Sequence, residues 1–302
     1  MSSPGLAGAV LVGTGAVLLA SKGLFAKALY DLGLTHHEVA AIRAVLAVPG
    51  FCLIALIYSR RGRPQTNRFT VGNILATCGA GLLCYYLGSL ANFFALTLIQ
   101  ANVERALLFS YPAIVVALQA ILSRHLPSIT TMLALVATTG GIFLVTGAAD
   151  GDLSAAEWVG VGWVIFCSST IAIYFLVSGK ITNELGSAYF TAIAMTTSGG
   201  AFFIHYQWFG AGWLALPQSP EVWMTMLALV IVATVVPLLC IAEGVRRIGA
   251  QRAALISTLG PPATAWMAYE LYGEILSHSQ IVGTLTIIAG VAFIEINAQR
   301  GA

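Results

Sequence analysis

Charge is what this sequence lacks most. Only 9% of its 302 residues are Asp, Glu, Lys or Arg, while 58% are hydrophobic. A soluble domain usually carries about 25% charged residues, because its surface has to be wet. A chain with so little charge fits a surface that faces lipid. Alternating strand patterns are absent too, and open strands cannot span a bilayer, which leaves helices. The five cysteines, Cys52, Cys78, Cys84, Cys167 and Cys240, sit inside apolar runs with no CxxC pair. They read as small buried hydrophobes rather than a disulfide frame or a metal site. The five histidines, His36, His37, His125, His205 and His278, are scattered, and most fall near the ends of apolar runs. That argues against a membrane-embedded enzyme and against a metal centre. No Walker motif is present, so direct ATP coupling is not expected. The start, Met1-Ser2-Ser3-Pro4, has no basic n-region of a cleaved signal, so the first apolar run is kept as a span.

What the chain has in abundance is long apolar runs. A spanning helix needs about 20 mostly apolar residues. By that measure ten spans are expected: 6–29, 39–58, 70–98, 103–122, 128–146, 157–177, 187–209, 222–241, 250–272 and 280–296. The fold class expected is therefore an all-α integral membrane protein of ten transmembrane helices. Basic residues gather in alternate connections. Arg60, Arg61, Arg63, Arg68, Arg124, Lys180, Arg246, Arg247, Arg252 and Arg300 account for ten of the 14 Lys and Arg. The opposite connections carry Asp31, Glu38, Asp150, Asp152, Glu157, Glu221 and Glu274. The positive-inside rule then places both termini in the cytoplasm.

A shift of 149 residues aligns the fourth and fifth spans with the ninth and tenth. Ile99 meets Ile248, Ala101 meets Ala250, Pro112 meets Pro261, Leu122 meets Leu271, Ser128 meets Ser277 and Gly141 meets Gly290. This register divides the chain into repeats at 1–149 and 150–302, five spans each. An odd span count would give the halves opposite orientations, an arrangement suited to alternating access. Pro112 and Pro261 fall near the middle of their spans, where proline removes a backbone hydrogen bond. They are expected as paired helix bends beside a central cavity, against the plainer reading of tolerated kinks.

Several segments resemble the EamA type of the drug/metabolite transporter superfamily. They are Ala95-Leu96-Thr97-Leu98, Leu107-Leu108-Phe109-Ser110-Tyr111-Pro112, Ile248-Gly249-Ala250, Gly260-Pro261 and Gly273-Glu274. Gly23-Leu24-Phe25-Ala26-Lys27 and Ala41-Ile42-Arg43-Ala44 in the first two spans are also similar to it. The resemblance covers nearly the whole chain. It implies two inverted five-helix repeats around a central cavity lined by the first, third, fourth, sixth, eighth and ninth helices. It also implies export of amino acids or other small metabolites from a bacterial cell across its inner membrane. One departure is Ser123-Arg124-His125, where the family's first repeat usually ends its fourth helix with a Gly-Glu-like pair.

Charge within the bilayer costs about 2.5–3.5 kcal/mol on insertion scales, so charged residues at depth face protein or water. Lys22 lies well inside the first span and is assigned to the cavity; Lys27 is assigned to snorkelling toward the interface. Glu104 is either a helix-end charge or a group reaching the cavity mouth, and Glu270 is a candidate partner for Lys22. Arg43, on a helix not expected to line the cavity, is read as a structural residue, either paired with Glu38 or anchoring a neighbouring helix, and Arg105 as a helix-end charge. Tyr85, Asn92, Tyr111, Trp163 and Tyr174 are deep polar or aromatic residues that would complete a substrate site. The modest cationic excess of the outer half favours a carboxylate-bearing solute over a lipophilic cation. Multidrug or organic-cation efflux, or a membrane protein that transports nothing, are the competing readings. A small-molecule substrate and the lipid bilayer are the partners expected. No cofactor and no nucleic acid is expected, and proton coupling, facilitated diffusion, monomer and homodimer all stay open.

Overall fold

In the computed structural model, residues 4–60, 70–124, 129–145, 154–209, 212–213, 219–248, 256–257 and 259–300 are described. Every regular element among them is helical. In chain order the helices are α1 (Pro4–Ala20), α2 (Lys22–Asp31), α3 (His36–Arg60), α4 (Val71–Gly81), α5 (Ser89–Ala95), α6 (Ala101–Leu108) and α7 (Tyr111–Ser123). There follow α8 (Ile129–Val145), α9 (Ala155–Leu185), α10 (Ser187–Phe209), α11 (Pro220–Val230), α12 (Val236–Ile248), α13 (Gly260–Tyr272) and α14 (His278–Arg300). Six stretches of the described chain are long and apolar enough to cross a membrane: Leu6–Asp31, His36–Ser59, Val71–Ala95, Ala101–Leu122, Ala155–Ser178 and Pro220–Ile241. Large apolar side chains such as Leu53, Leu75, Val136, Met224 and Leu285 are exposed along the outside of the bundle. So broad an apolar exterior is a membrane-facing surface.

Three helix starts carry reciprocal caps. The Thr35 amide donates to Glu38 (2.8 Å), the Ser154 amide to Glu157 (2.8 Å) and the Ser277 amide to Gln280 (3.0 Å). Each is a Ser/Thr-x-x-Glu/Gln box, which satisfies amides that a helix leaves unpaired. Glu38 is thus spent on a cap and is not the partner of Arg43.

The spans are not uniform rods. The first is interrupted at Ser21, whose hydroxyl turns back to the Leu18 carbonyl (2.6 Å). The fourth breaks at Phe109–Ser110, between α6 and α7. Two π-helical segments, Leu82–Gly88 and Ile231–Val235, join α4 to α5 and α11 to α12. Pro112 and Pro261 each occupy the first turn of a new helix, in α7 and α13. No intrahelical bond is lost there, so the prolines start helices after an interruption instead of kinking continuous ones.

Element boundaries repeat along the chain. Val71 and Pro220 begin α4 and α11, and Leu82 and Ile231 begin the two π-helical segments. Tyr111 and Gly260 begin α7 and α13, and Ile129 and His278 begin α8 and α14; the members of each pair are 149 residues apart. The same separation relates Arg124 (φ 55°) to Gly273 (φ 65°), the left-handed residues that end α7 and α13. Partners are exchanged in a matching way: α1 packs on α12, α9 on the α4–α5 helix, α3 on α10, α6 on α13, and α8 on α14.

Candidate functional site

The interruptions border a cavity of about 350 Å³. The break at Ser21 makes Lys22 the first residue of α2, and Lys22 lines this space. Across it, Asn92 of α5 accepts a hydrogen bond from the Lys22 ammonium and donates one to Glu104 of α6 (2.5 Å). Lys22 Nζ also lies 3.5 Å from Glu104 Oε1. Glu104 and Asn92 are almost fully buried, so the counter-charge is held away from water while Lys22 faces the cavity. Burying a charge is tolerated only with pairing and hydrogen bonds of this kind.

Two more cations line the cavity. Arg43 of α3 donates to the Ser89 hydroxyl (2.7 Å), and its guanidinium carbon lies 5.0 Å from the Phe93 ring centroid. Arg105 of α6 lies beside the Phe109 ring, 5.3 Å from its centroid. Cation–π contacts hold each guanidinium in place without neutralising it. The Nε of each is buried with no hydrogen-bond partner among the described residues. Arg105 also abuts the start of α13, where a Cβ on Gly260 would come within 2.9 Å of its Nη2. That close approach explains a residue without a side chain there.

The π-helical segments bring further residues to the space: Tyr85 from the first and Thr234 from the second. Tyr85 meets Tyr174 of α9 edge-on (centroids 4.9 Å apart), and Tyr111 stacks on Phe175 (5.2 Å). Extra residues in a helical turn of this kind often mark functional positions. The remaining wall is apolar, with Leu19, Leu108, Ile171, Leu238 and Ile241 among it.

Of the residues singled out by sequence, Lys22, Tyr85, Asn92, Tyr111 and Tyr174 come together around the cavity, with Glu104 directly behind Lys22. Trp163 does not join them. It is 40% exposed and packs edge-on against Phe94 and Phe166. Glu270 is exposed on α13, and Lys22 takes Glu104 as its partner instead. Lys27 does not snorkel free but pairs with Glu274 (2.9 Å). Arg43 and Arg105 are the cavity residues missed by sequence reasoning. The signal was their depth next to small or apolar neighbours, outweighed by placing them on a non-lining helix and at a helix end.

The sequence and the fold have counterparts in known proteins. The model of the EamA-like transporter family matches residues 6–147 and 158–296. The chain belongs to the EamA-like transporter family. A Bacillus subtilis protein, the uncharacterized transporter YcbK, is 33% identical over 300 residues, covering 97% of this chain and 95% of its own. The uncharacterized inner membrane transporter YicL of Salmonella typhimurium is 23% identical over 211 residues, 69% of each chain. A crystal structure 16% identical to the chain superposes with a TM-score of 0.62 over 97% of this chain and 98% of its own, a likeness of fold. The EamA-like family and these relatives make the chain a multi-pass membrane transporter.

Proposed function

We propose that the chain is a secondary transporter that exports a small carboxylate-bearing solute, an amino acid or an organic acid, by alternating access. In this reading ten helices form two inverted repeats, residues 1–149 and 150–302, in a bacterial inner membrane with both termini in the cytoplasm. The 149-residue spacing of helix starts, π-helical segments and left-handed caps supports the repeat, because chance similarity among apolar segments does not align backbone irregularities. The crossed packing of α1 on α12 and α9 on α4–α5 supports it as well.

One observation carries the substrate reading. Three cations, Lys22, Arg43 and Arg105, line a cavity among apolar helices, and no carboxylate is among its described lining residues. A lipophilic cation would meet repulsion there, whereas a carboxylate supplies the missing charge. The broken helices at Ser21 and Phe109–Ser110 bring the starts of α2 and α7 to the cavity, and the positive end of a helix dipole favours an anion. Interruptions and π-helical turns are also where a helix bends with least loss of hydrogen bonding, which suits rocking of one half on the other.

The test is uptake by proteoliposomes of labelled amino acids, organic acids and organic cations, against protein-free vesicles. Saturable movement of a carboxylate-bearing solute is the expected result. Movement of organic cations alone would replace this reading with cation efflux, and movement of none would end it.

A further inference from the structure

The charge balance of the cavity goes further than a preference for carboxylates. Lys22 has its counter-charge within the protein, through Asn92 and Glu104. Arg43 has none among the described residues, and Arg105 feels only the same Glu104 that Lys22 engages. Each has a buried, unpartnered Nε, each sits beside an aromatic ring, and Arg43 has only a neutral hydroxyl for a partner. The two belong to different helices, α3 and α6, and both line the same space. Three cations thus share the one carboxylate of Glu104 among the described residues, which leaves an excess of two positive charges at a cavity of about 350 Å³.

We infer that the cavity takes a small organic dianion, with two acidic groups that engage Arg43 and Arg105, and a short apolar backbone against the leucine and isoleucine wall. This inference rests on the transport reading above and narrows its substrate class. A monocarboxylate would leave one guanidinium unanswered. A zwitterion would add an ammonium group to a cavity with no carboxylate among its described lining residues to receive it. Guanidinium groups are also the side chains best shaped for two-point contact with carboxylates or phosphates. The shared chemistry is two negative charges on a small carbon skeleton, met either by a dicarboxylate or by a phosphomonoester.

Purified protein in detergent, titrated by calorimetry at fixed ionic strength, tests this. The probes are succinate, glycerol phosphate, butyrate, phenylalanine and tetraphenylphosphonium. Succinate or glycerol phosphate is expected to bind about tenfold or more tightly than butyrate or phenylalanine, one charge-assisted contact corresponding to at least that factor. Which of the two binds tighter separates the dicarboxylate from the phosphomonoester source. Arg43→Gln and Arg105→Gln are each expected to bring dianion affinity down to that of butyrate. Arg43→Lys and Arg105→Lys, which retain the charge, should keep part of the preference. Phenylalanine, butyrate or tetraphenylphosphonium binding as tightly as both dianions would overturn the inference, as would no binding by any probe. Binding and transport of phenylalanine would leave the transport reading standing and remove the dianion. Dianion binding without flux in proteoliposomes would do the reverse.

Discussion

Lys22 keeps its place at membrane depth through two neighbours. Asn92 bridges its ammonium to Glu104, and Glu104 supplies the charge. Removing one partner of a buried ion pair costs more than removing both, because a lone charge stays behind. Glu104→Gln should therefore lower stability by on the order of 3 kcal/mol, read as a fall in melting temperature in detergent. Lys22→Met combined with Glu104→Gln should recover part of that loss. An additive double variant would show that the pair is not energetically coupled. Lys22 was legible in the sequence because a lysine deep in an apolar run has few ways to be satisfied. Its partner was not, since Glu104 and Glu270 are equivalent acids until the helices are packed. Arg43 and Arg105 were the harder case. Sequence depth gives no facing direction, and the break at Phe109–Ser110, beside the ring that Arg105 covers, has no composition signal strong enough to announce it.

At the scale of elements, the site depends on where helices fail to be regular. The apolar runs were readable, because hydropathy is local, whereas the capping role of Glu38 was not read and that residue was offered to Arg43 instead. The π-helical segments were not readable, because an extra residue per turn arises from packing between helices and leaves no sequence pattern of its own. Tight packing fixes these segments. A Cβ on Gly81, at the end of α4, would lie 2.5 Å from the Ala194 carbonyl oxygen and 2.7 Å from its Cα in α10. Backbone cannot step aside there as a side-chain tip can. Gly81→Ala is expected to cost about 1–3 kcal/mol, as overpacking does, and to reduce the melting temperature. An unchanged melting temperature would mean that α4 and α10 do not approach so closely. Gly260→Ala tests a different point. Its added methyl would press on the Arg105 guanidinium, so it should weaken substrate binding more than it lowers stability, measured by titration and thermal unfolding of one preparation. Lower stability with unchanged binding would place Arg105 outside the site.

Over the whole molecule, helices from the early and the late parts of the chain pack around one cavity. Lys27 of α2 and Glu274, just after α13, tie the start of the chain to its end by an ion pair of 2.9 Å. Exchanged packing partners mean that neither of the proposed halves has a core of its own: α1 rests on α12, and α9 on α4–α5. In the proposed reading, a pseudo-symmetric assembly would have two related ways of opening, one to each side, which is the physical content of alternating access. The 149-residue spacing read in the sequence covered only the fourth and fifth spans against the ninth and tenth; helix boundaries with the same spacing run from Val71 with Pro220 to Ile129 with His278, and they support the proposed repeat. Accessibility of the cavity from both sides tests this account most directly. Leu19 lines the cavity and carries no charge, so Leu19→Cys in a background with the five native cysteines replaced by serine or alanine reports on it. A membrane-impermeant thiol reagent applied to right-side-out and to inside-out vesicles should modify that cysteine in both, with protection by a transported carboxylate. Modification from one face only, whatever solute is present, would contradict alternating access.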